Sequence, residues 1–452
     1  MSIIALGVVL VLLQACVLLI SKRFAFDAAV TSTPILEFVG IQLLAGALFL
    51  LVVGLMSRVN FDRTDLILIV LVGLLMRLIL FDSTPILEID FYRYLWDGAV
   101  LANGHNPYLY PPAQAVHSPL ADLARQSGQV IDRINYAELS TIYPPLTQLS
   151  FSLAYWLDSW NLNTWRLILF FADVAGMALI VKTLHHLNKP LHWSLIYWWN
   201  PLLIQQTYNA AHMDVLLVVP LMAAVLMLIA RRQVIASALL AFGSGIKLWP
   251  LLLIPFALKP LLSRPYQLSL AIFAVLGILT ILVMPLMIFG LGENSGLGTF
   301  ASEWQRNSAI FPLLESVISL FSLTPEVTSR ILVALILIAA VAYLNRRSQV
   351  SAEQLIESLL WVIVLLFLLS PAQFPWYTIW FIPLLCFRQS FPLLLLVTLM
   401  PIYYLKFYYS SLGHSGFFDL YLVWIQYLPP LGWLAWQQLA RLRLIRRSPE
   451  YV

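Results

Sequence analysis

Residues 65–82 read DLILIVLVGLLMRLILFD, an almost unbroken apolar run of the length that a helix needs to cross a membrane. The hydrocarbon core of a bilayer is about 30 Å thick, and about 20 helical residues span it. Similar runs recur along the chain of 452 residues, which is 61% apolar and 11% charged. Soluble domains carry about 25% charged residues. The sequence therefore predicts an all-α polytopic membrane protein.

The spacing of the apolar runs predicts one transmembrane domain over residues 1–452, a bundle of about 12 to 14 spanning helices. A large external loop at 83–145 interrupts it. Two short apolar stretches, 146–160 and 309–322, are flanked by Pro or Asn and are predicted to lie at the interface as helices. The first run lacks a basic n-region and a cleavage site, which predicts a retained helix. The predicted spans are 3–21, 34–56, 65–82, 164–184, 193–208, 213–230, 234–245, 247–260, 266–290, 328–345, 355–370, 376–388, 390–405 and 418–440.

Basic residues lie mostly in short loops between the predicted spans, and the net charge of +4 gives no indication of nucleic-acid binding. By the positive-inside rule these loops and both termini are cytoplasmic, in a multi-pass protein of the plasma (inner) membrane. Lys22 and Arg23 are the exception. The cytoplasmic set comprises Arg58, Arg63, Lys182, Lys189, Arg231, Arg232, Lys259, Arg264, Arg346, Arg347, Arg388 and the tail RLRLIRR (441–447). Cys16 and Cys386 lie inside apolar runs, which predicts neither a disulfide nor a metal cluster.

Polar and aromatic clusters concentrate in the loops on the opposite, non-cytoplasmic side. A transporter is expected to carry such residues in the bilayer midplane at broken helices, whereas clustering on one face suits an enzyme at the outer membrane–water boundary. A flippase and a non-catalytic scaffold are the alternatives. The first needs charges deep in several spans, and the second has no need of an acid pair. The clusters are EIDFYRYLWDG (88–98), GHNPYLYPP (104–112), STIYPPL (140–146), YNAAHMD (208–214), IKLWP (246–250), GENSGLGTFASEWQRN (292–307), SPAQFPWY (370–377) and KFYYSSLGHSG (406–416).

Two acidic residues, Glu88 and Asp90, follow Pro85 directly after the third predicted span. In an extended segment, residues two apart point to the same face, so both carboxylates are expected to lie together. Like charges this close raise the pKa of one of them, and partial burial adds to the rise, which tunes a carboxylate toward a general base. The aromatic stretch that follows has helical spacing and is suited to the headgroup layer. The alternative is a loop whose acids merely face water.

In this order, the motifs EIDFYRYLWDG, GHNPYLYPP, STIYPPL, KLWP and SPAQFPWY resemble the GT-C superfamily of membrane glycosyltransferases. They are most similar to polyprenyl-phosphate-mannose-dependent mannosyltransferases, including bacterial relatives of the GPI mannosyltransferase catalytic subunit. The likeness covers roughly residues 65–380 and leaves the helices at 3–56 without a functional account. It implies that Asp90 is the catalytic base beside Glu88, that the donor is a polyprenyl-phosphate sugar, and that the configuration is inverted. Another sugar, such as arabinose, glucose or galactose, is a close rival to mannose.

A lipid phosphate leaves as a stable anion, so the reaction requires a base for the acceptor hydroxyl and a cation for the phosphate. Lys247 is the first candidate for the cation, because the short helix before it leaves it at the mouth of a cavity; a snorkelling lysine is the alternative. Arg93 and Arg306 are weaker candidates. The other expected contacts are Asp97, Tyr143, His212, Asp214, Trp376 and Tyr377.

All of these contacts except Asp97 also have an alternative interpretation. His212 and Asp214 occur where a helix is expected to begin, so helix capping competes with substrate contact. Interfacial anchoring competes for the aromatic residues. His105, His117 and His414 show no metal-ligand spacing, so no metal or cofactor is expected to be required, although Glu88 and Asp90 could bind a metal weakly. The expected partners are the lipid-linked sugar donor, a glycan or glycolipid acceptor and the membrane lipid.

Overall fold

The computed structural model describes residues 3–26, 32–59, 61–347 and 351–447, without the side chains of Ser32 and of the basic tail 441–447. Within these ranges the protein is built of helices, and extended pairing is limited to one bridge between Arg306 and Ala372. This confirms the all-α prediction. The helices of nine or more residues are α1 (Ile3–Ser21), α2 (Ser32–Met56), α3 (Arg63–Ile79), α4 (Asp90–Ala102), α5 (Pro145–Leu157), α6 (Leu162–His186), α7 (Val218–Ile229), α8 (Gln233–Ser244), α9 (Pro265–Leu282), α10 (Ile310–Ile318), α11 (Pro325–Arg347), α12 (Ala352–Leu369), α13 (Phe391–Leu399) and α14 (Val423–Arg447).

Short helices connect these elements. Those with α-helical hydrogen bonding are Ala121–Gln126, Gln129–Asp132, Leu195–Trp198, Pro201–Ile204, Ile254–Leu258, Met284–Phe289, Gly296–Ser302, Ile382–Leu385, Leu405–Ser411 and Ser415–Phe417. The 3₁₀ turns are Lys22–Phe24, Leu80–Asp82, Pro112–His117, Leu191–Ser194, Met213–Leu217, Trp249–Leu253, Lys259–Leu261, Pro375–Trp380 and Met400–Tyr404. Two π-helical segments are Gln205–Asn209 and Phe418–Leu422.

Eight helical segments of the described chain are long and apolar enough to cross a membrane. A ninth arises if Pro201–Asn209 and Met213–Ile229, bent by 111°, form one broken span. This is fewer than the 12 to 14 expected from the apolar runs. The predicted span at 234–245 is a helix of 12 residues and is too short to be a candidate, and the helix over 418–440 is not a candidate either. The stretches predicted as spans at 193–208, 247–260 and 376–388 fold instead as series of short helical pieces. Prolines in these stretches prevent a continuous helix, because proline lacks an N–H donor and clashes with the preceding turn.

Local sequence sets where α3 and α6 begin. Asp62 and Asp65 form a reciprocal capping box at the start of α3, and the Asn161 side chain accepts two backbone N–H groups at the start of α6. Such caps satisfy donors that have no partner inside the helix. The start of each helix is therefore set by a capping side chain next to its first residue.

An ion pair buried within two of the candidate spans joins α3 to α6. Arg77 Nε lies 2.6 Å from Asp173 Oδ2, and both side chains are fully buried. The guanidinium also donates to the carbonyl oxygen of Trp198 and lies 3.4 Å from the centroid of its ring. Tyr208 donates to the same Asp173 oxygen at 2.7 Å. These bonds fix the irregular segment between α6 and α7 against the two spans.

The segment 83–145 contains α4, which packs closely on α5. A Cβ atom at Gly98 would lie 2.4 Å from the carbonyl oxygen of Phe151, so only glycine allows this approach. The helix predicted over the aromatic stretch is confirmed, but Tyr94 and Trp96 are buried inside the protein. The predicted interfacial stretches 146–160 and 309–322 are helical as α5 and α10. The packing of α4 on α5 positions the first residue of α4, Asp90.

Candidate active site

A cavity of about 980 Å³ lies where the polar loops meet. Seven of the eight polar and aromatic clusters found in the sequence contribute to its wall, and GHNPYLYPP (104–112) does not. A cavity of this size can enclose a small-molecule substrate, whose sites typically measure about 300–1,000 Å³. The expectation that these clusters converge is therefore confirmed.

Glu88 and Asp90 both line this cavity, but their backbone is not extended as predicted. Leu87 adopts a left-handed conformation with φ 59°, which is rare for a bulky residue, and Ile89 has φ −127° and ψ 3°. Asp90 is the first residue of α4. The chain thus turns sharply before the helix begins, and this turn, rather than strand periodicity, brings both carboxylates to the cavity.

The two carboxylates have different surroundings. The Asp90 side chain is 26% exposed and accepts a hydrogen bond from Asn135 Nδ2 at 3.1 Å. The Glu88 side chain is 8% exposed and accepts one from the Tyr404 hydroxyl at 2.9 Å. Burial raises the pKa of Glu88, and the negative charge of Asp90 adds to the rise. Asp90 is thus the carboxylate more accessible to a substrate.

His212 lies beneath the acid pair. Its Nε2 is 3.7 Å from Glu88 Oε2 and its Nδ1 is 4.0 Å from Asp90 Oδ2. The ring is fully buried and stacks on Trp376 with centroids 3.7 Å apart, and Trp376 stacks in turn on Phe374. His212 therefore packs against the acid pair but does not line the cavity, where it was expected to contact the substrate.

Lys247 and Asp214 form an ion pair at the cavity wall, with Lys247 Nζ 2.6 Å from Asp214 Oδ1. Trp380 Nε1 donates to the same oxygen, and the ammonium lies 4.2 Å from the centroid of the Tyr377 ring. The lysine side chain is 17% exposed, so its ammonium does not extend into bulk water as the snorkelling alternative requires. The turn at Met213–Leu217 has no side-chain cap, so the capping interpretation is wrong.

The remaining expected contacts divide into two groups. Tyr143, Trp376, Tyr377, Arg93 and Arg306 line the cavity. Asp97 does not: it is 2% exposed and accepts a hydrogen bond from Gln148 Nε2 between α4 and α5. Burial raises the pKa of Asp97, opposed by the nearby Arg93.

A comparison with protein families identifies the chain. The model of the MptA_B family, described as the N-terminal domain of alpha-(1->6)-mannopyranosyltransferases, matches residues 3–262. The chain belongs to this family. No curated protein and no solved structure matches it. It is thus a multi-pass membrane mannosyltransferase, an enzyme that moves mannose from a sugar donor to a glycan acceptor.

The first two helices of the mannosyltransferase were wrongly placed outside the resemblance. The family match begins at residue 3, and Arg23, Phe26 and Pro34 line the cavity. Phe26 packs edge-on against Tyr92 of α4, with ring centroids 5.8 Å apart. The hairpin of α1 and α2 therefore completes the cavity wall beside the helix that carries Asp90.

The structure adds residues that sequence reasoning missed. Asn135, Tyr404 and Trp380 each donate a hydrogen bond to a carboxylate of the site. Tyr404 lies 316 residues from its partner Glu88, in an aromatic-rich segment that resembles the interfacial anchors elsewhere in the chain. No local pattern distinguishes it from them. Within the described residues, no group of three or more His, Cys, Asp or Glu side chains is arranged to hold a metal ion.

Proposed function

We propose that the mannosyltransferase takes mannose from a polyprenyl-phosphate donor and transfers it to a hydroxyl of a glycan or glycolipid, inverting the anomeric carbon. The observation that carries this proposal is that the Asp90 carboxylate and the Lys247 ammonium line one cavity. A base for the hydroxyl and a cation for the departing phosphate are the two groups that such a displacement requires. The proposed reaction needs no metal or cofactor.

Asp90 is proposed as the base. It takes the proton of the acceptor hydroxyl while the oxygen attacks the anomeric carbon and the bond from that carbon to the phosphate oxygen breaks. Its exposure and its single amide donor, Asn135, leave carboxylate lone pairs free to meet a hydroxyl. Glu88, more deeply buried beside it, orients and tunes Asp90.

Lys247 is proposed to stabilise the departing phosphate. Burial lowers the pKa of Lys247, and the charge of Asp214 and its hydrogen bond oppose that decrease. Asp214 accepts one N–H of the ammonium, and a phosphate oxygen in the cavity can accept another. Arg93 and Arg306 also line the wall and add positive charge to the same cavity.

Aromatic side chains are proposed to shape the sugar and prenyl groove. Tyr143, Trp376 and Tyr377 line the cavity near the charged residues. Stacking fixes Trp376 against His212, and Tyr377 against Trp380 at a centroid distance of 4.2 Å. Rings held in this way offer rigid apolar faces to a sugar ring or an isoprene unit.

The family description specifies an α-(1→6) linkage. An inverting displacement yields an α product only from a β-linked donor, so we propose β-linked mannosyl phosphate as the form used. The direct test gives the purified protein a panel of polyprenyl-phosphate sugars and an oligomannoside, with mass spectrometry and linkage analysis of the products. Transfer of mannose alone, and from the β anomer alone, supports the proposal. Transfer from another sugar in preference to mannose contradicts it.

We place the site on the non-cytoplasmic face of the plasma membrane, within one domain that uses 83–145 as an external catalytic loop. The distribution of basic residues supports this orientation. Asn103 is an exposed residue directly after α4, and Asn103→Cys gives a labelling site there. Labelling by an impermeant maleimide from outside intact cells is expected. Labelling only after the cytoplasmic side is opened contradicts the orientation.

A further inference from the structure

Two buried side chains that do not line the cavity are linked in series to Glu88 by hydrogen bonds. Gln206 Nε2 donates to the Tyr404 hydroxyl oxygen at 2.9 Å, and the Tyr404 hydroxyl donates to Glu88 Oε1 at 2.9 Å. Gln206 and Tyr404 are both fully buried. Consecutive hydrogen bonds that run in one direction polarise each other, so the amide strengthens the bond that the hydroxyl makes to the carboxylate.

Gln206 belongs to the π-helical segment Gln205–Asn209. The backbone carbonyl oxygen of Gln206 accepts a hydrogen bond from the backbone N–H of His212 at 3.0 Å. The turn between them contains Ala211, which has a φ of 62°. The His212 ring is the other neighbour of Glu88, at 3.7 Å. Gln206 thus bonds to both neighbours of the Glu88 carboxylate, to Tyr404 through its side chain and to His212 through its backbone. Segments of this type often occur at functional sites.

We propose that Gln206 and Tyr404 are positioning residues for the acid pair: the amide orients the tyrosine hydroxyl, and the hydroxyl holds Glu88 ionised and aimed beside Asp90. Neither residue lines the cavity, so neither can contact the reacting atoms, and both act through Glu88. This inference rests on the proposed function, in which Asp90 is the base and Glu88 tunes it.

The titratable groups that face Glu88 come from three elements. They are Asp90 at the start of α4, His212 in the turn after the π-helix, and Tyr403 and Tyr404 in the turn Met400–Tyr404. Burial and Asp90 raise the pKa of Glu88, whereas His212 and the Tyr404 hydrogen bond lower it. Removing the tyrosine hydroxyl therefore favours the protonated form of Glu88 and moves the loss of activity at acidic pH to higher pH.

The test is the pH profile of kcat for Tyr404→Phe at saturating donor. A hydrogen bond to an ionised group is worth enough to move the acidic limb upward by about one pH unit and to lower kcat at neutral pH roughly tenfold. The donor KM is expected to stay unchanged. Gln206→Leu keeps the hydroxyl but removes its orienting donor, so a smaller shift in the same direction is expected. It also serves as the second variant if Tyr404→Phe folds poorly.

Tyr427→Phe is the matched control. Tyr427 is also fully buried and donates through its hydroxyl, but to the backbone carbonyl of Asn307 and outside the cavity wall. Its loss tests the general effect of deleting a buried hydroxyl. The expected result is reduced thermal stability with an unmoved acidic limb.

A double-mutant comparison separates this inference from the proposed function. In a Glu88→Gln background, adding Tyr404→Phe is expected to have no further effect on kcat, because the hydroxyl acts through the carboxylate. Additive losses, or an acidic limb that Tyr404→Phe leaves in place, overturn the positioning role. If Asp90→Asn and Glu88→Gln both retain wild-type turnover, the proposed function itself fails, which is a different result.

Discussion

The pairing of Lys247 with Asp214 leads to the most detailed prediction. Asp214→Asn keeps the size of the side chain and a hydrogen-bond acceptor but removes its charge. At the observed 2.6 Å and an effective dielectric constant of about 20, the attraction lost is on the order of 6 kcal/mol. Even if only part of this attraction is felt after relaxation, its loss disfavours the charged form of Lys247 and lowers its pKa further. Burial already lowers that pKa, so both changes act in the same direction and favour the neutral amine.

The donor is the substrate that this change affects. A lysine carries charge only below its pKa, so a lower pKa moves the alkaline limb of kcat/KM for the donor to lower pH. At neutral pH, loss of a charge-assisted hydrogen bond to phosphate is expected to lower that value about 10- to 100-fold. Acidification is expected to restore part of it. Lys247→Ala should show the same loss without restoration, and the KM for the acceptor should change little in both variants.

The assay is initial-rate mannose transfer over a pH series with donor and acceptor varied separately. Glu353→Gln is the control, because Glu353 pairs with Lys189 at 3.0 Å but is 71% exposed and lies outside the cavity wall. Exposed pairs contribute about 0–1 kcal/mol, so this variant should resemble the wild type. Unchanged donor kcat/KM and an unchanged alkaline limb in Asp214→Asn refute the role of the pair.

Two further predictions concern the scaffold. Asp173→Ala leaves Arg77 buried without its counter-ion, which is expected to cost about 3–5 kcal/mol of stability and to lower the thermal midpoint in detergent; an unchanged midpoint contradicts the structural role of the pair. Gly98→Ala places a methyl group against the Phe151 carbonyl, so α4 has to move away from α5 at a cost of about 1–3 kcal/mol. Because α4 begins at Asp90, kcat is expected to fall together with stability. Gly104→Ala is the control: the added methyl group meets no neighbouring atom there, so this variant measures only the backbone strain at a φ of 79°.

The sequence was sufficient to predict the class of fold and which polar loops would meet around one cavity. Alternate loops of a multi-pass chain meet on one face, so polar clusters in those loops could be grouped without coordinates. Composition alone overestimated the number of spans, because hydropathy does not register the prolines that divide stretches such as 376–388 into short pieces. The left-handed backbone at Leu87 was also beyond prediction, because a leucine side chain disfavours a positive φ.

The partners of the acid pair could not be predicted from sequence. Glu88 accepts its hydrogen bond from a residue 316 positions away, and His212 reaches it from 124 positions away (212 − 88) through a turn fixed by a π-helix. Such contacts depend on tertiary packing, and no local sequence pattern indicates which distant residues will meet. The position of Lys247 at the cavity could be predicted, because the short helix before it can be recognised from the local sequence.

Asp90→Asn is the measurement that tests the central proposal most directly. The amide keeps the shape of the side chain but cannot accept the proton of the acceptor hydroxyl, and loss of a general base typically lowers the rate about 10²- to 10⁴-fold. Glu88→Gln is expected to reduce the rate less, and both variants should keep the wild-type thermal midpoint because Asp90 and Glu88 border a cavity. Transfer rates and midpoints should be measured on the same preparations. A fall in turnover of this size with an unchanged midpoint is the predicted result, whereas near-normal turnover in a folded Asp90→Asn protein contradicts the assignment of the base.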